Sequence, residues 1–197
     1  KHTPSIGIEA SLTGHLVFAT LHTNSAPESI IRLLDMGMDP FNFADALLGI
    51  LAQRLAKRLC KCKEAYSPGQ DEIKHFITEY CGELVNTKEF KNDLQGSYKR
   101  VFERLQKDYG FGKPEFKLYK PKGCDACGGT GYKGRVGLHE MLVGTDPMKK
   151  LIQEHARVAE MLAVALEEGM LTLKMDGMEK VLQGVTDMFQ VRAVCIK

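Results

Sequence analysis

Two pairs of cysteines constrain the fold of this sequence more than any other feature. The pairs are Cys60-Lys-Cys62 and Cys124-Asp-Ala-Cys127, and a long segment separates them. Two thiolate pairs that meet can close a tetrahedral zinc site with four Zn–S bonds of ~2.3 Å. Such a site stabilises a loop where a hydrophobic core is lacking. The spacing therefore predicts Cys60, Cys62, Cys124 and Cys127 as the ligands of one structural Zn²⁺ ion.

Glycines around the second pair agree with a metal knuckle. Gly128, Gly129, Gly131 and Gly134 let the backbone fold around an ion so that amide N–H groups reach the sulfurs. Residues 129–134 also match the dinucleotide-binding pattern GxGxxG. They follow a knuckle and not a predicted strand, so this match does not indicate a dinucleotide site.

Other roles for the cysteines remain open at this stage. One pair could be a redox dithiol or the remnant of a metal site, because CxC is a tighter bite than the usual CxxC. Cys81 or His75 could replace Cys62 as the fourth ligand. Cys195 lies in an amphipathic pattern and is predicted to be a buried thiol.

Composition excludes several classes of protein. Apolar residues make up 44% and charged residues 26% of the 197, which is typical of a globular chain able to bury a core. The net charge of +2 is too near neutral for a protein that mainly grips nucleic acid. No apolar run approaches the ~20 residues that span a bilayer, and no signal peptide is evident. We expect a cytoplasmic location, where thiols bind metal more readily than they form disulfides.

Helix signals and short apolar runs alternate in the first third of the sequence. Helices are predicted from Thr3 to Leu12, from Ser25 to Gly37 and from Asp39 to about Ile50. The apolar run at residues 16–19 predicts a strand covered on both faces in a parallel sheet, and residues 51–59 favour an edge strand. This order indicates an α/β fold.

The remaining sequence falls into a polar segment and a helical one. Residues 61–122 are rich in lysine, glutamate and glycine and are predicted to be an insertion with short helices at 71–80 and 98–109. The last third is predicted to form helices near 147–155, 157–168, 172–183 and 187–194.

Several motifs together resemble those of the ATPases of type II secretion and type IV pilus assembly, in the order found in that family. They are Leu12-Thr-Gly-His15-Leu-Val, Thr20-Leu-His22-Thr-Asn24, Leu51-Ala-Gln-Arg54-Leu, Gly123-Cys-Asp-Ala-Cys127, Thr130-Gly-Tyr-Lys-Gly-Arg135-Val-Gly-Leu-His-Glu140 and the stretch 171–186. The resemblance extends over nearly the whole chain. One departure is the first cysteine pair, which is CxC where the family commonly has CxxC.

The resemblance implies the C-terminal half of a RecA-like P-loop ATPase domain, with a zinc-binding insertion and a helical C-terminal lobe. The implied parts are residues 1–59 in the core, 60–127 in the insertion, 128–145 returning to the core sheet, and 146–197 in the lobe. A P-loop, an acidic box and Walker B would then precede Lys1. We expect no ATP hydrolysis from these residues alone, because GxxxxGK[ST] is absent and the one Gly-Lys pair of interest, Gly112-Lys113, runs into Pro114.

The resemblance also implies roles for individual residues. His15 and His22 lie in the family's histidine box, and His22 would sense the γ-phosphate of ATP from the carboxyl end of a strand. Arg54 and Arg135 would contact nucleotide or a neighbouring subunit. Structural roles compete with these: His22 could cap the next helix or bond a backbone carbonyl, and Arg54 could be a solvated cation.

For the parent protein, the resemblance implies a homo-hexamer that uses ATP and Mg²⁺ to drive protein export or pilus extension. It would work at the cytoplasmic face of the inner membrane, with the membrane platform and cytoplasmic assembly proteins of the machine as partners. A different class remains open, because Cys124-x-x-Cys127-x-Gly-x-Gly131 also resembles the knuckle of Hsp40-type chaperones. A zinc ribbon that binds nucleic acid is a third alternative, disfavoured by the near-neutral charge.

Overall fold

The computed structural model describes residues 2–195, and the side chains of residues 4–195. Helices and strands are mixed along this part of the chain. The helices are α1 (His2–Leu12), α2 (Ala26–Asp35), α3 (Pro40–Ala46), α4 (Gln70–Tyr80), α5 (Lys88–Asn92), α6 (Leu94–Tyr109), α7 (Asp146–Gln153), α8 (Val158–Glu167), α9 (Leu173–Leu182) and α10 (Met188–Val194). The strands are β1 (Gly49–Leu59), β2 (Glu64–Tyr66), β3 (Leu118–Lys120) and β4 (Tyr132–Val143). Short 3₁₀ turns occupy Leu84–Asn86 and Asp125–Cys127.

The strands form two small sheets. In one, β1 pairs with β4, and in the other β2 pairs with β3 in antiparallel register, with Ala65 opposite Tyr119. The chain divides into two compact units. Unit 1 contains Lys1–Ala52 and Glu140–Met170, and unit 2 contains Gln53–His139 and Leu171–Lys197.

Unit 1 is built on helices whose first turns follow local capping rules. Ser25 Oγ accepts the Glu28 N–H at the start of α2, and Asp39 Oδ1 accepts the Asn42 N–H at the start of α3. Proline lies in the first turn of both helices, where a missing N–H costs no intrahelical bond. Their apolar faces meet α7, α8 and the end of β4 in a core of Ala26, Ile30, Met38, Phe43, Ala44, Leu47, Leu142, Met148, Ile152, Met161, Ala165 and Met170.

Unit 2 contains the predicted insertion, which has a small apolar core of its own. The helices predicted at 71–80 and 98–109 are confirmed as α4 and α6. Phe76, Phe102 and Phe116 each pack against the buried ring of Phe111, with centroids 5.0 to 5.8 Å apart. The segment is therefore stabilised by aromatic packing.

A buried carboxyl group joins the insertion helices to α9 within unit 2. Glu179, only 8% exposed, accepts hydrogen bonds from the Tyr80 hydroxyl at 2.6 Å, the Tyr109 hydroxyl at 2.6 Å and Arg104 Nη2 at 2.8 Å. Tyr80 ends α4, whereas Arg104 and Tyr109 belong to α6. One side chain of α9 thus holds the ends of both insertion helices.

The prediction of a strand at residues 16–19 is wrong. These residues have no regular structure, and Leu16 and Phe18 are 69% and 88% exposed. A buried strand of a parallel sheet needs hydrogen-bonded neighbours and cover on both faces. The residues that the structure describes provide no strand beside this segment.

The other predicted elements are largely confirmed. Residues 51–59 lie in strand β1, and the four helices predicted in the last third are α7 to α10. Helix α3 ends at Ala46, earlier than predicted, because Leu47 is already extended and β1 begins at Gly49. None of the described helices has the length and apolar character needed to cross a membrane.

Candidate functional site

The four paired cysteines meet in unit 2 with the spacing that a tetrahedral metal ion requires. The sulfurs of Cys60 and Cys124 are 3.9 Å apart, those of Cys62 and Cys127 are 4.0 Å apart, and those of Cys124 and Cys127 are 3.7 Å apart. All four sulfurs lie within 4.8 Å of one another. A tetrahedron with bonds of ~2.3 Å has edges of about 3.8 Å. This donor set fits a thiophilic ion such as Zn²⁺.

Backbone geometry on both sides of the cluster brings the pairs together. Cys60 follows the end of β1, and its N–H donates to the Gly131 carbonyl just before β4 at 2.9 Å. The second pair encloses the 3₁₀ turn, which ends in left-handed Gly128. Gly131 also has a positive φ of 80°, and a Cβ there would lie 2.5 Å from Pro121 Cβ. The β1–β4 pairing therefore positions one cysteine pair beside the other, and glycine is required where the loop turns.

Hydrogen bonds prepare one of the sulfurs for a cation. The N–H groups of Cys124 and Gly131 both donate to Cys127 Sγ at 3.2 Å. Desolvation raises the pKa of Cys127, but these N–H groups, together with hydrogen bonds from the thiols of Cys124 and Cys62, outweigh it and lower the pKa to about 6. Desolvation and the neighbouring thiols raise the pKa of Cys62 to about 11. A hydrogen bond from the Gly123 N–H, which favours the thiolate, offsets only part of this rise. A bound cation would displace the proton that Cys62 retains.

The structure distinguishes between the candidate ligands. Cys62 completes the group, whereas Cys81 and His75 do not belong to any metal-binding cluster among the described residues. Cys81 is fully buried, and His75 Nδ1 lies 2.8 Å from the Asp71 carbonyl of its own helix. Cys195 was predicted to be buried but is only half-buried, because it lies just beyond the end of α10.

His22 lies in unit 1, in the irregular segment that precedes α2. Its side chain is exposed, and its carbonyl accepts a 2.6 Å hydrogen bond from Arg32 Nη1. Because Ser25 is the N-cap of α2, His22 does not cap that helix. His15 is also exposed, and its Nδ1 lies 3.2 Å from the Ala10 carbonyl at the end of α1.

Two further hydrogen bonds attach residues 22–24, called the His22 segment below, to α2. Thr23 Oγ1 lies 2.5 Å from Ser29 Oγ, and the Asn24 N–H donates to Glu28 Oε2 at 3.2 Å. Together with the bond from Arg32, they connect three consecutive residues to the helix. The position of the His22 backbone therefore depends on the position of α2.

Glu140 was assigned only to the strand that returns to the sheet, yet it contacts α2 directly. Glu140 is 3% exposed, and its Oε1 accepts the Ala26 N–H at 2.8 Å. The sequence carries a weak signal for this contact, since Glu140 alternates with the apolar Leu138 and Leu142 on one face of β4. A charged residue in a buried apolar pattern indicates a specific partner.

The two arginines lie on the paired strands of unit 2. Arg54 is half-buried on β1, with Nη1 3.2 Å from the Gln53 carbonyl, and Arg135 is exposed on β4. A contact of either residue with nucleotide or with another subunit stays a prediction.

Comparison with known proteins gives a consistent family. The family model described as type II/IV secretion system protein matches residues 1–193. The chain is 38% identical over 198 residues to the type IV pilus assembly ATPase PilB of Thermus thermophilus, covering 100% of this chain and 19% of that protein. It is 37% identical over 194 residues to the type IV pilus assembly ATPase TfpB of Acinetobacter baylyi, covering 98% and 28%. It is 34% identical over 193 residues to the type II secretion system ATPase E of Vibrio cholerae, covering 98% and 32%. The chain therefore spans less than a third of the length of each of these relatives.

Proposed function

This chain belongs to the type II/IV secretion system protein family, and we propose that it is part of an ATPase that powers type II secretion or type IV pilus assembly. The observation that carries the proposal is the match over residues 1–193, together with relatives that are named as ATPases of these two systems. The exposed His22, on a segment held to α2, supplies a polar group at a defined position.

In this proposal the chain is the C-terminal half of a RecA-like domain, and the whole protein hydrolyses ATP with Mg²⁺. His22 senses the γ-phosphate, so that loss of the phosphate changes the position of the His22 segment and of α2. His15 is a second catalytic candidate, and Arg54 and Arg135 contact nucleotide or a neighbouring subunit. The pattern GxxxxGK[ST] is absent from these 197 residues, so ATP would be held mainly by other parts of the protein.

The rest of the proposal concerns assembly and location. The ATPase works as a homo-hexamer at the cytoplasmic face of the inner membrane, against the membrane platform and the cytoplasmic assembly proteins of the machine. Its movements drive protein export or pilus extension. Nucleic acid is not a partner.

We assign the cysteine cluster to a structural zinc ion. Four sulfur ligands leave no open position for substrate, which is typical of structural and not of catalytic zinc. Cys60, Cys62, Cys124 and Cys127 would hold the ion, which would fix the loop before β4 to the end of β1.

The test of the proposed function uses the full-length protein and its His22→Ala variant. A γ-phosphate sensor acts in the transition from ATP to products, so the variant should lose roughly 10²-fold or more in ATPase kcat while its affinity for ATP changes by less than about threefold. His75→Ala is the matched control, because His75 is also exposed but lies on α4 of unit 2 and bonds its own helix.

A full-length protein without ATPase activity would contradict the proposed function as a whole. Normal turnover in His22→Ala, within twofold of His75→Ala, would leave the family role intact but refute the sensor role. Stoichiometric ATP binding by these 197 residues alone would show that the nucleotide site is assigned to the wrong part of the protein.

A further inference from the structure

We propose that Glu140 is a positioning residue for ATP hydrolysis, which acts by fixing the start of α2 and thereby the His22 segment. This inference rests on the proposed function of His22 as the γ-phosphate sensor. It assigns a role to a buried carboxyl group that lies 114 residues away in sequence from the helix it contacts.

The first turn of α2 needs an acceptor from outside the helix. N–H groups in a first turn have no intrahelical partner. Ser25 Oγ accepts the Glu28 N–H at 3.3 Å, and Pro27 has no N–H to satisfy. The Ala26 N–H, in a fully buried residue, donates to Glu140 Oε1 at 2.8 Å. Glu140 therefore supplies the acceptor that the local sequence of α2 lacks.

The chemistry of the contact suits a carboxylate. The N-terminus of a helix carries a partial positive charge, which stabilises a nearby anion. Hydrogen bonds from N–H groups to charged acceptors are shorter and stronger than those between neutral groups. Burial of a carboxyl group between Leu138 and Leu142 is nevertheless costly, and an apolar residue would suit that face of β4. A costly group at a buried position is more often found where geometry matters for function.

Helix α2 determines the position of His22 through three contacts already described, which are spread from its first turn to its last. They are the Thr23–Ser29 hydroxyl pair, the Asn24–Glu28 bond and the bond from Arg32 to the His22 carbonyl. A shift of the N-terminus of α2 would therefore move the segment with it. A displacement of about 1 Å in a positioning element can cost on the order of 10²-fold in rate.

Two variants separate the hydrogen bond from the charge. Glu140→Gln keeps an acceptor oxygen at the same reach and removes the charge, whereas Glu140→Asp keeps the charge and withdraws the oxygen by one methylene. In the full-length protein, we expect Glu140→Asp to lose about tenfold or more in kcat with ATP affinity within about twofold. Loss of the charge weakens the contact, but Glu140→Gln keeps the acceptor oxygen in place and should stay within about threefold of the natural protein in kcat. The matched control is Glu179→Asp, which shortens a buried carboxyl group of unit 2 in the same way.

The decisive measurement combines these variants with His22→Ala. If Glu140 acts through His22, the double variant His22→Ala/Glu140→Asp should turn over no more slowly than His22→Ala alone. In the control, any fold-loss of kcat caused by Glu179→Asp should multiply the fold-loss caused by His22→Ala, as expected for independent sites. Each kcat is expressed per folded active site, measured by nucleotide titration, so that partial unfolding does not imitate the effect.

The outcomes distinguish this inference from the proposed function. Independent losses in the double variant, or a normal kcat in Glu140→Asp, would overturn the role of Glu140 while a slow His22→Ala still supports the sensor. A Glu140→Gln variant as slow as Glu140→Asp would overturn the hydrogen-bond mechanism. A normal His22→Ala would remove the sensor and, with it, the basis for Glu140.

Discussion

Replacement of Glu179 by alanine should release the insertion helices from α9. Glu179 receives hydrogen bonds from Tyr80, Tyr109 and Arg104, and their donors would lose a common acceptor. Burial raises the pKa of Glu179, but these three donors outweigh it and hold the pKa below its ordinary value of 4.5. The carboxylate is therefore the form that stabilises unit 2 at neutral pH.

The size of the effect follows from the burial of the partners. Breaking a buried ion pair by removing one member costs about 3–5 kcal/mol. The Arg104 side chain is 41% exposed and can be partly hydrated after the substitution, so the lower end applies. We therefore expect local opening of α4 and α6 to become about 3 kcal/mol easier, which corresponds to roughly 100-fold faster amide exchange. Tyr109→Phe, which removes one bond, should cost about 1 kcal/mol.

Hydrogen–deuterium exchange followed by mass spectrometry measures this directly in the full-length protein. Peptides from α4 and α6 report on the insertion, and peptides from α7 and α8 of unit 1 serve as the internal reference. Exchange less than tenfold faster in α4 and α6 would refute the reasoning, as would an equal increase in the unit 1 peptides. Retained zinc would exclude loss of the cysteine cluster as the cause.

Two further predictions concern the metal and acid stability. The full-length protein should contain one zinc per chain. Cys124→Ser should lose it because three sulfurs hold zinc far more weakly than four, whereas Cys195→Ser, outside the cluster, should retain it. Elemental analysis decides, and a natural protein that is free of zinc and whose four cluster thiols react freely would contradict the site. The second prediction concerns Glu79. Hydrogen bonds from Arg192 and, to a lesser extent, Lys174 outweigh desolvation and lower the pKa of Glu79 from 4.5 to about 2. Because this pKa is lower in the folded state than in the unfolded state, the ionised Glu79 stabilises the folded protein fully above pH 4.5. This contribution to the free energy of unfolding, about 2 kcal/mol after allowance for partial exposure, is lost as the pH falls towards 2. Acid titration followed by circular dichroism should show a flatter response for Glu79→Gln in that window, and an unchanged titration curve would argue against the ion pairs.

Short-range signals accounted for most of the predicted helices. The caps Ser25 and Asp39 act on N–H groups three residues later, and Gly14 and Gly37 adopt positive φ angles just beyond α1 and α2. Such contacts are complete within one turn, so the sequence contains all the information needed to predict them. The paired cysteines are a similar case, because their chemistry limits which groups can satisfy them.

Burial and long-range pairing depended on tertiary structure. The apolar run at residues 16–19 has the composition of a buried strand, yet burial is a property of the neighbours that cover a segment and not of the segment itself. Glu140 and Glu179 look like ordinary acidic residues in the sequence, and their partners lie 114 and 70 to 99 residues away. Nothing local specifies which N–H or hydroxyl group a distant carboxyl group will meet. The sequence by itself determined the capped helix starts, the cysteine chemistry and the family. The core packing decided which acidic residues became buried acceptors, because only the folded chain brings distant donors within hydrogen-bond distance.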